Sequence, residues 1–395
     1  MQASRTAPRC TLLFDIEPFA DVHLGKDVGL FPLYMKLMLG MESRIVHFRS
    51  PENAGLRRRA ADFPVGLRGV PRILRFLPER FPFTVLKNAS MFLCLARLAR
   101  ETDLLMLFHA KKINLLYLRL YRILNPRGMA WIKLDMESTT SVKSGKIDIR
   151  RYVRAADLVS AESGQIRDAL NAIIDRRGDR GCGKRVALVP NGFDDLRHPA
   201  APIARGGFKP RRNVFLTVGR LGTRQKNSEL ILEAIGLVRD KSAEFWFVGP
   251  TTREFEEAVN RFRAAHPDAA DRIRLFGNVA GKSRLYELYA SSKCFILSSR
   301  WESFGLVLIE AQAHGDYILC TDLPASRDIV GTDEGIGKLF PQEDAEALGG
   351  EIDRICAATI DSDRIARHGE RYYQSAITAA LGRELGLAPA TGGTR

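Results

Sequence analysis

No run of about 18 uncharged apolar residues occurs in the sequence, the length a helix needs to cross a bilayer. No transmembrane helix is therefore expected. The opening residues, Met1-Gln-Ala-Ser-Arg-Thr-Ala-Pro-Arg-Cys10, lack the apolar core of a secretory signal. Cysteine is sparse and scattered (Cys10, Cys94, Cys182, Cys294, Cys320, Cys356), with no Cys-x-x-Cys pair and no histidine at ligand spacing. A zinc site is thereby disfavoured, and the thiols read as buried residues of a reducing compartment. Short internal repeats are absent, as is any recognised nucleic-acid module. Acidic excess is missing too. The net charge of +14 falls wholly within residues 1–200, and residues 201–395 are balanced. Such an asymmetry points to an anionic partner for the first half: a membrane surface, nucleic acid or an anionic substrate.

What is present is a chain of 395 residues, long enough for two domains with a core each. Its 45% apolar and 27% charged content is that of a soluble globular protein. In the second half, strand-like segments at 214–218, 244–248, 273–276, 294–299, 317–320 and 337–340 alternate with amphipathic stretches at 228–239, 252–265, 283–290 and 305–314. That alternation predicts a parallel sheet wrapped by helices. The first half repeats the pattern more loosely. Its strands are expected at 11–14, 43–48, 104–108, 130–134, 158–160 and 186–189, with helices at 31–39, 88–100 and 113–124. Pro190, Pro199, Pro202 and Pro210, with Gly192, Gly206 and Gly207, suit neither a helix nor a central strand. The domains are thus expected at 1–195 and 196–387. A loop is expected at 176–184, and a disordered tail at 388–395.

The densest signal is Arg300-Trp-Glu-Ser-Phe-Gly-Leu-Val-Leu-Ile-Glu310-Ala-Gln-Ala-His-Gly315. It follows an apolar strand and runs into a helix, the crossing at which open α/β sheets bind ligands. Gly305 permits close backbone approach, and the free N–H groups at a helix start suit a phosphate or oxyanion. Glu302 and Glu310 can accept hydrogen bonds from paired hydroxyls, as on a sugar and a ribose. A second signal is Thr217-Val-Gly-Arg-Leu-Gly-Thr-Arg-Gln-Lys-Asn227. Gly219 ends a strand there. Arg220 and Lys226 follow in the loop, one able to hold phosphate bidentately and the other as a point charge.

These two segments resemble family 4 glycosyltransferases, in which two glutamates separated by seven residues flank a Phe-Gly and an Arg and a Lys hold the donor diphosphate. Val189-Pro-Asn-Gly-Phe-Asp194, Ile273-Arg-Leu-Phe-Gly-Asn-Val279 and Leu285-Tyr-Glu-Leu-Tyr-Ala290 extend the likeness. So does Thr321-Asp-Leu-Pro-Ala-Ser-Arg-Asp-Ile-Val330, although the family's usual Gly-Gly is missing there. The likeness is strong over about 186–345 and weak over 1–185. It implies the GT-B fold: two facing Rossmann-like doubly wound domains with a cleft between them. The first domain takes the acceptor, the second takes a nucleotide-sugar donor, and the final helix can pack back on the first.

By that resemblance Glu310 holds the ribose hydroxyls and Glu302 the donor sugar. Phe304, Gly305 and Leu306 present backbone amides, and Arg220 and Lys226 neutralise the departing diphosphate. Most such enzymes retain the anomeric configuration, and a front-face route is implied here. The fold generally needs no metal, so no cofactor is expected. His109, after an apolar strand, matches a family histidine near the donor sugar; a strand-end histidine with a local hydrogen bond is the alternative reading. His23 and Gly25 occupy the first loop of the acceptor domain and match the family poorly. Asp135-Met-Glu137 looks like a metal-binding pair but reads better as a structural or acceptor-side element.

Between residues 56 and 100 lie Arg57, Arg58, Arg59, Arg68, Arg72, Arg75, Arg80, Lys87, Arg97 and Arg100. Phe63, Ile73, Leu74, Phe76, Phe81, Phe83, Met91 and Phe92 are interleaved with them. Basic plus apolar is the pattern of a surface resting on anionic lipid, each charge contributing roughly 1 kcal/mol. A solvated arginine face over an ordinary core is the competing reading. The expectation is a peripheral enzyme on the cytoplasmic face of a membrane. Its partners are a nucleotide-sugar donor, a glycan or lipid-linked acceptor and the anionic surface, and nucleic acid is not among them. Two alternatives keep the fold: a non-catalytic sugar-nucleotide-binding subunit of a polysaccharide assembly, or a nucleotide-sugar epimerase.

Overall fold

The computed structural model describes residues 7–16, 18–72, 83–136, 138–176, 183–198, 208 and 211–387. The chain divides into two compact units, Met1–Gly192 with Gln374–Arg395, and Phe193–Tyr373.

The first unit holds a seven-stranded sheet of order β3-β2-β1-β4-β5-β6-β7. Its strands are β1 (Arg9–Phe14), β2 (Glu42–Phe48), β3 (Gly66–Val70), β4 (Leu104–Phe108), β5 (Met129–Leu134), β6 (Leu158–Ala161) and β7 (Val186–Leu188). Each adjacent pair is parallel. Parallel strands need helical crossovers, which cover both faces. Accordingly Leu13, Val46, Leu105, Leu107 and Ile132 enter one core, while Leu12, Ile45, Leu104, Met106 and Trp131 enter the other. The helix Gln374–Glu384 belongs to this unit. Its Ile377 and Leu381 join the second core beside Leu33 and Leu39 of the helix Asp27–Leu39.

The second unit is a six-stranded parallel sheet of order β10-β9-β8-β11-β12-β13. The strands are β8 (Val214–Val218), β9 (Glu244–Val248), β10 (Ile273–Gly277), β11 (Cys294–Leu297), β12 (Tyr317–Thr321) and β13 (Gly337–Phe340). Phe215, Phe245, Phe247, Ile296 and Leu319 face one helical layer. Leu216, Trp246, Val248, Phe295, Leu297 and Ile318 face the other. Two parallel α/β sheet units are the fold the sequence predicts.

Differences are local. β3 was not expected, because Gly66-Leu-Arg-Gly-Val70 has little β-branched or aromatic content; backbone pairing to β2 makes it an edge strand. The strand expected over 294–299 ends at Leu297, since Ser298 and Ser299 turn their hydroxyls to other work. The loop expected from 176 starts later, Arg176 being the last residue of the helix Gly164–Arg176. The rest of that loop before Gly183, most of the proline-rich segment and the tail 388–395 lie outside the described residues. So do Glu137 and residues 73–82 of the basic stretch. Among the described residues no helix is long and apolar enough to cross a membrane.

Candidate active site

The carboxyl ends of β8 and β11, neighbours at the centre of the second sheet, carry both basic-loop and glutamate-loop residues. After β8 the chain passes Gly219 and loops through Arg220 to Asn227 before the helix Ser228–Leu237. Asn227 adopts a left-handed φ of 48° at the helix N-cap, a conformation asparagine tolerates better than most residues. The Lys226 side chain then folds back over Gly219: a Cβ built there would stand 3.3 Å from Lys226 Cε. Lys226 Nζ donates to Glu302 Oε1 at 2.5 Å. Ser299 Oγ donates to the same oxygen at 2.7 Å, and Ser298 Oγ donates to the carbonyls of Lys226 and Asn227 at 2.9 Å each. The two serines that end β11 early thus clamp the lysine loop to the glutamate loop.

Both partners of this ion pair are largely enclosed, with side chains 15% and 10% exposed. Both of these bonds to Glu302 fall on Oε1, which leaves Oε2 to accept from a ligand hydroxyl. Lys226 keeps further N–H groups for a phosphate oxygen. Arg220 is steered by Gln225, whose Oε1 accepts from its Nη2 at 2.7 Å; Gln225 Nε2 in turn donates to the Trp301 carbonyl at 3.0 Å. Arg300 braces the outer rim through Glu343, 2.6 Å away.

Gly305 is the N-cap of the helix Leu306–Ala313, at a left-handed φ of 88°. A side chain is disfavoured there, and the open N–H groups of the first turn point out of the helix start. Phe304 is buried and packs against Tyr372 at 5.9 Å, so its ring belongs to the core and only its backbone is free for a ligand. One turn into the helix, Glu310 is almost buried. Its Oε1 accepts from Lys282 Nζ and its Oε2 from the Tyr289 hydroxyl at 3.3 Å. Behind it His314 Nδ1 donates to the Glu310 carbonyl at 2.7 Å, which fixes the tautomer. Burial lowers the His314 pKa to about 4, and burial with the nearby Glu310 charge raises that of Tyr289.

The structure therefore brings Gly219, Arg220, Lys226, Glu302, Gly305, Leu306 and Glu310 to one end of one sheet. Sequence reasoning missed Ser298, Ser299, Lys282, Tyr289 and His314. The serines carried a signal, two hydroxyls closing an apolar run. Lys282 gave none, since it meets Glu310 only through the fold. His109, His23 and Gly25 lie in the first unit. His109 follows β4 at a left-handed φ of 64°. Its N–H donates to the Lys133 carbonyl at 2.8 Å, and Asn114 Nδ2 donates to its carbonyl at 2.8 Å. His23 Nδ1 accepts from the Ala20 N–H at 2.9 Å, its ring stacked on Phe19, and burial lowers its pKa. Gly25 ends that short 3-10 turn, with open space where a Cβ would stand. Asp135 is exposed near buried Lys133 and Glu162; burial, then the Asp135 charge, raises the Glu162 pKa.

Residues 212–358 match the family described as glycosyl transferases group 1. The phosphatidyl-myo-inositol mannosyltransferase of Mycolicibacterium smegmatis is 27% identical over 209 residues, covering 51% of this chain and 52% of its own. The lipopolysaccharide core biosynthesis mannosyltransferase LpsB of Rhizobium meliloti is 31% identical over 111 residues, 28% and 30% of the two chains. This chain thus spans about half the length, or less, of these curated relatives. Among solved structures, a glycosyltransferase from Rickettsia africae superposes with a TM-score of 0.70 at 15% identity, covering 96% of this chain and 97% of its own. Anabaena HepE in complex with UDP and glucose gives 0.64 at 16% identity, covering 96% and 99%. At such identities the likeness establishes a shared two-unit fold.

Proposed function

We propose that this chain, whose residues 212–358 match the glycosyl transferases group 1, moves a sugar from a nucleoside-diphosphate donor to a glycan or lipid-linked acceptor. The pathway proposed is cell-surface polysaccharide or lipopolysaccharide biosynthesis, and transfer retains the anomeric configuration. The observation that carries the reading is the Lys226–Glu302 pair, 2.5 Å apart beside Gly219 and the Gly305 helix start. It puts a cation for phosphate and an acceptor for sugar hydroxyls in one nearly enclosed place. The names of the curated relatives, two of them mannosyltransferases, and the UDP and glucose held by a solved relative support the donor class.

In this reading Glu310 takes the ribose hydroxyls and Glu302 Oε2 the sugar. The bond from the sugar C1 to the diphosphate oxygen breaks, its electron pair staying on the diphosphate. Arg220 and Lys226 offset that charge. The acceptor oxygen bonds C1 from the face being vacated, and its proton passes to the departing phosphate oxygen. The two basic side chains take the role a metal would have, so no cofactor enters. His109 is proposed as a catalytic residue and His23 and Gly25 as acceptor-side residues, all three carried by the first unit. The enzyme works peripherally at the cytoplasmic face of a membrane, held by the basic first unit.

The test is release of nucleoside diphosphate from a panel of UDP- and GDP-sugars. Wild type should turn over one series. Lys226→Ala should lower kcat by about 100- to 1000-fold, the usual cost of one group that stabilises developing charge. A wild-type rate matched by the variant would remove Lys226 from the chemistry.

A further inference from the structure

A large cavity opens in the first unit. It measures about 1130 Å³ and opens between β2, β3, the turns at residues 50–58 and the helix Ala89–Leu98. Six arginines line it: Arg44, Arg49, Arg57, Arg58, Arg68 and Arg97. No described Asp or Glu does. Arg57, Arg58, Arg68 and Arg97 are exposed and make no ion pair with any described residue.

Arg44 is the anchor. Its Nε donates to Thr11 Oγ1 at 3.0 Å, and its Nη1 stands 3.7 Å from a Glu101 oxygen that also pairs with Arg9. Its Nη2 is buried with no hydrogen-bond partner. Burial lowers the Arg44 pKa, and the charges of Arg9 and Arg68 add to the effect. A guanidinium donor left without an acceptor is costly, and so are like charges gathered around one volume. An entering anion offsets the gathered like charge. Several converging guanidinium forks match a tetrahedral anion with many acceptor oxygens better than a lone carboxylate. Leu56, Leu67, Val70 and the exposed Leu93 make an apolar stretch of the wall, and His47, Ser50, Asn53 and Ser90 add polar groups. The volume sits at the upper end of ordinary ligand pockets and exceeds what one phosphate fills.

We propose that this cavity binds a phosphorylated headgroup, a phosphate or diphosphate ester whose organic body lies against the apolar wall. The proposal deepens the membrane-facing part of the reading above. Diffuse attraction of a basic face to any anionic surface becomes capture of a phosphate group at one place. The ester could reach the cavity as a lipid headgroup or as a soluble sugar phosphate, and the test separates them.

The full chain is titrated with sodium pyrophosphate by calorimetry. It is also sedimented with phosphatidylcholine vesicles carrying phosphatidic acid, or phosphatidylserine at matched surface charge. Three forms are compared: wild type, the quadruple variant Arg57→Ala/Arg58→Ala/Arg68→Ala/Arg97→Ala, and a control, Arg100→Ala/Lys112→Ala/Arg119→Ala/Lys143→Ala. The control removes the same charge from exposed positions elsewhere in the unit. The quadruple variant should weaken phosphate binding by about tenfold or more and the control by about twofold or less. Replacing the same four arginines by lysine keeps the charge and should still weaken binding, since the bidentate forks are lost. Binding to phosphatidic acid but not to free pyrophosphate assigns a lipid source; binding to both assigns the phosphate group itself. Pyrophosphate binding lost in the quadruple variant, with no preference for phosphatidic acid vesicles, assigns a soluble source. Equal loss in control and cavity variants, or no pyrophosphate binding together with equal sedimentation with both anionic lipids, overturns the proposal. Donor turnover in the same variants reports separately on the transferase reading.

Discussion

At the scale of single residues, the site is a set of satisfied charges. Glu302 is held by Lys226 and Ser299, and Glu310 by Lys282 and Tyr289. The glutamates were legible in the sequence because their spacing around Phe304-Gly305 sets them on a loop and a helix turn. Their lysine partners were legible only in part. Lys226 was expected to hold a diphosphate, and the fold gives it a carboxylate as well. Lys282 lies 28 residues from Glu310 in the chain, and no local pattern pairs them.

His314 gives a residue-scale prediction. Burial holds its pKa near 4, whereas an unfolded histidine titrates near 6.5. The folded protein keeps the ring neutral, and between those values the unfolded chain binds the extra proton. Stability therefore falls as pH drops from about 6.5 to about 4, by on the order of 3 kcal/mol from this group alone. Urea midpoints of wild type and His314→Phe, compared across that range, should show the variant losing less on acidification. Parallel curves would mean that His314 is not the group responsible.

At the scale of elements, the central strands were the easiest to read. β8 and β9 fall where the apolar runs predict, because strands buried on both faces are mostly apolar. β3 was opaque because an edge strand is set by its neighbour's backbone and not by its own composition. The turns that follow the strands depend on glycine. Gly249, after β9, has a φ of 128°, and a Cβ there would lie 1.9 Å from the Gly219 carbonyl oxygen. Gly249→Ala should therefore cost about 2 kcal/mol or more and displace the turn that carries Arg220. A thermal melt and a nucleotide titration of the variant should both shift. An unchanged melting temperature would show that the two turns are not in contact.

At the scale of the whole molecule, two parallel sheets account for the alternation of strands and helices in both halves. The helix Gln374–Glu384 belongs to the first unit, a placement the family resemblance allowed but which the helix's own apolar face does not name. The charge asymmetry was plain from composition, but its focus was not. The arginines that wall one cavity come from β2, β3, a turn and a helix, and only the fold gathers them. One unit thus gathers arginines around a cavity, and the other sets paired carboxylates and cations at its sheet end.

The central claim is that this sheet end in the second unit takes a nucleoside-diphosphate sugar. Calorimetric titration of wild type and Glu310→Ala with UDP, GDP and their sugars tests it most directly. The account predicts saturable binding of one nucleotide series by wild type and loss of that binding in the variant. Binding that survives Glu310→Ala unchanged, or no binding of any donor by a folded wild type, would contradict it.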